Sequence, residues 1–338
     1  MTEQIWKKCS TPNYNFVFNR KTGLFFIWGK DVKDDPEFSP IGAEILDVEV
    51  STICSNGCKF CYKSNKFKGK NMSLSTFTRL FKKFPKQLTQ IALGIGDVDA
   101  NPDLKSIMEC CRKGDVVPNI TINGSRMTPY YYDMLADLCG AVAVSLYDYD
   151  TCYTAVAELA KRKMKQVNIH ALMAQETLDK SRKVLADKGK DKRLDGLNAV
   201  VFLWLKPMGE RNTFTQVRKK EFGELVNQAL DENKRIGFDS CSSSILLHSV
   251  SKERRALLAP FIEPCESTLF SYYINVEGLG YPCSFAEGQV PSVDVLSSVD
   301  FNKDVWYNGI TKKFRERVIK SKDNLNCRTC VLYSLGKK

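Results

Sequence analysis

Three cysteines within eight residues, Cys54, Cys58 and Cys61 in CSNGCKFC, set the chemistry that this 338-residue sequence can support. Thiols this close in one loop converge on a single centre. With His170 and His248 the only histidines, a metal site must rest on sulfur rather than imidazole. A closed zinc knob needs four ligands and finds only three nearby. A cubane iron–sulfur cluster takes one thiolate per iron, so three cysteines leave the fourth iron open to a chelating cofactor.

A second set lies near the carboxyl end. Cys265 and Cys283 have seventeen residues between them, with Gly278 five before the second, and Cys327 and Cys330 follow in CRTC. The stretch LFSYYINVEGLGYPC reads as a hairpin that brings its ends together, so four thiols could meet and close a cubane. A zinc ribbon built from the same four is the alternative. Cys241, in GFDSCS, is a fifth candidate, either as a ligand or as a catalytic thiol at a barrel mouth. Cys9, Cys110, Cys111, Cys139 and Cys152 read as buried lone thiols. Thirteen cysteines behind the signal-free start MTEQIWKKCS read as metal or catalytic thiols in a reducing, cytoplasmic setting, not as a disulfide framework.

The elements that must position these groups alternate along the chain. Residues 13–29 read as a hairpin around a short turn at residues 19–23. Strand patterns at residues 45–51, 90–93, 119–122, 141–146, 166–173 and 199–205 are each followed by helical periodicity, which makes six β/α units. In the first helix Leu74, Phe77, Leu80, Phe81 and Phe84 share a face and Ser73 is placed to cap. The sixth carries Phe214, Val217, Phe222, Leu225, Val226 and Ala229. Such alternation implies a parallel sheet with right-handed crossovers and reactive groups at the strands' carboxyl ends. The expected domains are an amino-terminal hairpin extension at 1–40, a catalytic barrel at 41–236 and a small α+β domain at 237–338.

On CSNGCKFC the chain resembles the radical S-adenosylmethionine superfamily, whose cluster motif follows the first strand of a partial (β/α)6, TIM-like barrel. The resemblance implies that Phe60 lies beside the adenine. It also implies that the Gly94-Ile95-Gly96-Asp97 segment, with the NPDL that follows it, corresponds to a Gly-Gly-Glu segment binding the methionine ammonium. Here Ile95 replaces a glycine and Asp97 the glutamate. Asn123 in TING resembles the family's TNG end, Ser145 the serine that reaches the ribose or carboxylate with Asp148 near it, and Pro207 with Gly209 the turn beside the adenine. His170 reads as a satisfied barrel histidine. The carboxyl-terminal cysteines resemble the Twitch extension, a shortened relative of SPASM, and imply one auxiliary [4Fe–4S] cluster besides the S-adenosylmethionine-binding one.

The resemblance implies reductive cleavage of S-adenosylmethionine and hydrogen abstraction by a 5′-deoxyadenosyl radical. The expected substrate is a peptide or protein side chain, with a small molecule as the other enzymatic reading and flavodoxin or ferredoxin as electron donor. Net charge +11 raises RNA modification as a rival, although the basic runs at residues 180–193 and 312–322 read as solvated helix faces. A non-catalytic metal-binding protein is the reading from another class. No apolar run is long enough to span a bilayer.

Overall fold

The computed structural model describes residues 5–31 and 33–334. Three antiparallel strands come first: β1 (Trp6–Ser10), β2 (Asn15–Asn19) and β3 (Phe25–Trp28). The hairpin read from the sequence is β2–β3, and β1 pairs on its other side.

Six β/α units follow: β4 (Ile45–Glu49) and α1 (Leu74–Phe81), β5 (Gln90–Gly94) and α2 (Leu104–Lys113), β6 (Val117–Ile122) and α3 (Pro129–Leu138). The other three are β7 (Val142–Ser145) and α4 (Tyr149–Lys161), β8 (Val167–Met173) and α5 (Leu178–Asp187), β9 (Ala199–Trp204) and α6 (Lys219–Asp231). All six strands run parallel in chain order, in a partial TIM barrel. Ser73 caps α1 by accepting from the Thr76 amide, and Phe77 and Leu80 are buried beneath it.

The sheet extends beyond the six units at both edges. β10 (Ile236–Phe238) pairs in parallel with β9, so the boundary expected between residues 236 and 237 falls inside a barrel strand. After α7 (Ser243–Ser249) and α8 (Lys252–Leu258), β11 (Ser271–Ile274) returns to the opposite edge and pairs in parallel with β4. β12 (Leu279–Tyr281) and β13 (Val293–Asp294) continue antiparallel, and α9 (Gly309–Lys320) follows. The strand order therefore begins at β10 and reaches β11 across β4. Carboxyl-terminal residues are built into the barrel sheet itself.

Phe214 and Val217 precede α6 instead of lying on it. The isolated bridge of Gln216 with Ala174 holds that segment extended.

Strand residues alternate in character. On β8, Val167, Ile169 and Ala171 are buried among the helices, whereas Asn168 and His170 face inward; on β6, Asn119 and Thr121 do so. A period of two places these polar groups in the barrel interior, among apolar lining.

The amino-terminal sheet closes the opposite end of the barrel from the cysteine loop. Tyr14, Phe16 and Phe18 pack with Val117, and Lys7 donates to the carbonyls of Leu88 (2.7 Å) and Asp115 (3.1 Å), just before β5 and β6. Beneath it the Tyr14 hydroxyl donates to the fully buried Glu44 carboxyl. Burial pushes that carboxyl up from its ordinary value of 4.5 to about 8. The folded state then holds a proton that the unfolded chain has released between those values, so stability falls as pH rises through this window. Glu44→Gln keeps an acceptor for Tyr14 and removes the titration. By thermal or urea unfolding it should lose about 3 kcal/mol less stability than the parent between pH 5 and pH 8. An unchanged slope would show that Glu44 does not titrate there.

Candidate functional site

The loop after β4 carries Cys54, Cys58 and Cys61, and all three thiols line a cavity of about 670 Å³ at the carboxyl ends of the strands. This is the end at which parallel barrels place their chemistry. The loop is fixed from both sides. The Cys54 amide donates to the Lys66 carbonyl (3.0 Å), and the Cys61 amide closes a turn on Cys58 (3.2 Å).

Beneath the loop lies Asp97, only 3% exposed. One of its oxygens accepts from the Ser55 amide at 2.8 Å, and the other from Asn123 Nδ2 at 2.8 Å. Gly96 is required by close approach, because a Cβ there would stand 2.2 Å from the Ile53 carbonyl oxygen and 2.4 Å from Cys54 Cβ. Gly94 and Gly96 line the cavity, while Asp97 does not. Asp97, expected to meet a cofactor ammonium, accepts from the cysteine loop with one oxygen and from the end of β6 with the other.

Asn123 and Ser145 both line the cavity. Phe60 does too, its ring 5.4 Å from that of Tyr147 and 5.1 Å from that of Phe214, which makes an aromatic wall. Asp148 caps α4 by accepting from the Thr151 amide and has no place on the cavity lining. Pro207 is exposed and lies off the lining as well. Gly209 performs the close approach of that turn: at φ +100° it rests on the loop, where a Cβ would be 2.3 Å from the Cys61 carbonyl oxygen. His170 lies 3.5 Å from Thr121 Oγ1, and burial lowers it to about 4, so it is neutral at physiological pH.

Several cavity residues escaped the sequence reading. Asp47 and Glu49 alternate on β4, and two acids in an otherwise apolar strand were the available signal. Burial pushes Asp47 up to about 6. Lys63 bonds Glu49 at 3.0 Å, Tyr273 Oη at 2.6 Å and also Glu287, joining the cysteine loop to the carboxyl-terminal hairpin. Lys206 pairs with Asp239, and Arg211 donates to the Asn65 carbonyl at 2.7 Å while its Nε is buried without a partner.

A second cavity of about 340 Å³ adjoins the first and shares Asp47, Lys206, Asp239, Ser284 and Phe285 with it. Cys241, Cys265, Cys283 and Cys330 line it. Cys327 does not; its amide donates to Asp323 Oδ1 at 3.1 Å. Cys241, expected as a ligand or a catalytic thiol, lines this second cavity and not the first, after a turn closed by the Ser242 amide on the Asp239 carbonyl (3.0 Å). Across the junction the Tyr62 ring, next to Cys61, meets that of Phe285 at 4.3 Å in a tilted contact, and its hydroxyl donates to Ser284 Oγ at 3.2 Å.

Burial raises the thiols of Cys54 and Cys58, the latter to about 11, and those of Cys265 and Cys283 to about 11 and about 12. Unligated, they keep their protons at neutral pH, and a metal binding there must displace them. Among the described residues no three Cys, His, Asp or Glu side chains stand close enough for one shared ion. A cubane asks for something different, since each thiolate sits on its own iron at a separate corner. Three thiols on one cavity wall, beside the unpartnered Arg211 Nε, fit such a cluster with an open corner for an anionic chelate.

A sequence profile described as the Radical SAM superfamily matches residues 48–184. No curated protein matches the chain. Among solved structures, SuiB of Streptococcus suis superposes with a TM-score of 0.73 at 10% identity, over 99% of this chain and 96% of that one. The same protein bound to its precursor peptide SuiA gives 0.71 at 9% identity, over 98% and 97% of the two chains. Native anSMEcpe with bound AdoMet and the Cp18Cys peptide gives 0.60 at 16% identity, over 87% and 88%. At these identities the structures speak for the fold. Residues 48–184, which run from the end of β4 through the cysteine loop to α5, match the radical SAM superfamily model.

Proposed function

We propose that Cys54, Cys58 and Cys61 hold a [4Fe–4S] cluster whose open iron takes S-adenosylmethionine, and that the chain abstracts hydrogen from a peptide or protein side chain. The observation that carries this reading is the convergence of three thiols from one loop on a cavity at the carboxyl end of a parallel barrel. Bound there, the cluster and the sulfonium cofactor supply a hydrogen-abstracting radical, and the protein supplies placement and exclusion of water.

The residues divide that work. Asp97 and Gly96 hold the cysteine loop against β5. Phe60 and Tyr147 offer ring faces to an adenine, with Phe214 packed against Phe60, and Asn123 and Ser145 offer polar groups to the ribose or the amino-acid end. Arg211 beside Cys58 offers a cation to a carboxylate. The cavity lies within the usual range of about 300–1,000 Å³ for ligand sites, room for a cofactor and a side chain but not for a folded protein. The peptide reading draws further support from the likeness to SuiB and anSMEcpe, both solved with bound peptides. A small-molecule substrate is the other enzymatic reading.

The second cavity is read as an auxiliary thiolate centre able to accept an electron from the substrate, with a flavodoxin or ferredoxin as external donor. Protein reconstituted anaerobically with iron and sulfide should be brown and carry about eight irons. Under dithionite it should release 5′-deoxyadenosine from S-adenosylmethionine. Replacing Cys54, Cys58 and Cys61 together by Ala should remove about four irons and all 5′-deoxyadenosine. A colourless zinc protein, or cleavage surviving in the triple variant, would sink the reading. Peptide substrates should accelerate release and change mass, whereas salt-sensitive acceleration by RNA would replace the peptide reading.

Asp97→Ala leaves the Ser55 amide without its acceptor, and Gly96→Ala drives a Cβ into the loop backbone. Each should weaken iron binding at the first loop by about 10–100-fold, the usual effect of losing a group that orients a ligand. Circular dichroism should report an intact barrel, and iron retained as in the parent would show that the loop needs neither residue.

A further inference from the structure

The second cavity lies between the two parallel edges that the strand order leaves far apart. β10 ends the sheet on one side, and β11 sits beyond β4 on the other. Lining residues come from both: Asp239 and Cys241 follow β10, Ser271 belongs to β11, and Cys265 and Cys283 flank the β11–β12 hairpin. Cys330 enters from the segment after α9. Four thiols thus reach one space of about 340 Å³ from four separate stretches of chain.

Cys327 belongs to a different set of contacts. It is buried, and its amide is tied to Asp323, whose carboxylate also accepts from Ser244 and lies 3.3 Å from His248 Nε2. The Cys327 carbonyl accepts from the Asp323 amide at 2.8 Å, and Thr329 is bonded to Ser321 through both its amide (2.7 Å) and its hydroxyl (2.9 Å). Residues 321–329 therefore form a closed loop packed on α7, and this loop carries Cys327 off the cavity that Cys330 reaches. The spacing CxxC suggests that both cysteines chelate together; the fold separates them.

We propose that the auxiliary metal site is formed by Cys241, Cys265, Cys283 and Cys330, with Cys327 serving only to pack its loop. This rests on the reading of the second cavity as a thiolate centre. A site so composed ties β10 to the β11–β12 hairpin across the opening of the barrel. A set with Cys327 would take all its ligands from the carboxyl-terminal side.

The test starts from the Cys54→Ala/Cys58→Ala/Cys61→Ala background, so that bound metal belongs to the second cavity alone. After anaerobic reconstitution, iron, sulfide and zinc are counted and the dithionite-reduced EPR spectrum is recorded. The background should keep about four irons per chain and a reduced-cluster signal. Adding Cys241→Ala should remove both, and Cys241→Ser should alter the signal or halve the iron. Adding Cys327→Ala should leave iron and signal unchanged. Thermal melting of each variant separates loss of a ligand from loss of the fold.

Full iron in Cys241→Ala, or loss of iron in a folded Cys327→Ala, would overturn the assignment. Zinc that disappears in Cys241→Ala and persists in Cys327→Ala supports the ligand set while removing the cluster reading. A background that binds neither metal removes both.

Discussion

Everything at the mouth of this barrel depends on how one loop is pressed against the end of β5. The loop that carries Cys54, Cys58 and Cys61 has no regular secondary structure of its own to fix its sulfurs. It is held because Gly96 lacks a side chain where Ile53 and Cys54 pass, and because the buried Asp97 carboxylate accepts the Ser55 amide. Asp97 also accepts from Asn123 at the end of β6, so two neighbouring strand ends and the loop share one carboxylate. A buried carboxylate is costly unless its oxygens are satisfied, and here each oxygen has a directed donor.

The barrel interior extends this arrangement. Its polar groups occur at every second strand position: Asp47 and Glu49, Asn119 and Thr121, Asn168 and His170. Acids and bases balance locally, with Lys63 among Glu49 and Glu287 and Lys206 on Asp239. At the far end, the amino-terminal sheet shuts the barrel with Tyr14, Phe16 and Phe18, leaving access at the cysteine end. Polarity inside and closure below suit chemistry on a bound ligand more than they suit stability.

Much of this was legible beforehand. The six β/α units were visible because their strands are long enough to display a period and their helices display another, and Ser73 signalled its cap. β10 was not visible, since three residues, Ile-Gly-Phe, cannot show a period, and the pairing of β11 with β4 joins residues more than two hundred positions apart. The sequence pointed to Gly96 and Asp97 but not to their contacts with the cysteine loop, because a strand-end carboxylate that binds a cofactor and one that holds a loop have the same spelling. Asp148 was drawn in by proximity to Ser145 and turned out to cap α4. The grouping of Cys241 with Cys265, Cys283 and Cys330 could not be spelled out in advance, because it depends on where two sheet edges arrive.

Tyr62 and Ser284 each follow a cysteine directly, and they touch. With the Tyr62 ring also lying on Phe285, the backbone leaving Cys61 and the backbone leaving Cys283 are bolted together at the rim where the two cavities meet. This ring contact and hydroxyl contact add to the bonds of Lys63 with Tyr273 and Glu287, so the two cysteine-bearing segments are joined at several points. Any swing of the carboxyl-terminal hairpin away from the first cysteine loop has to break these contacts.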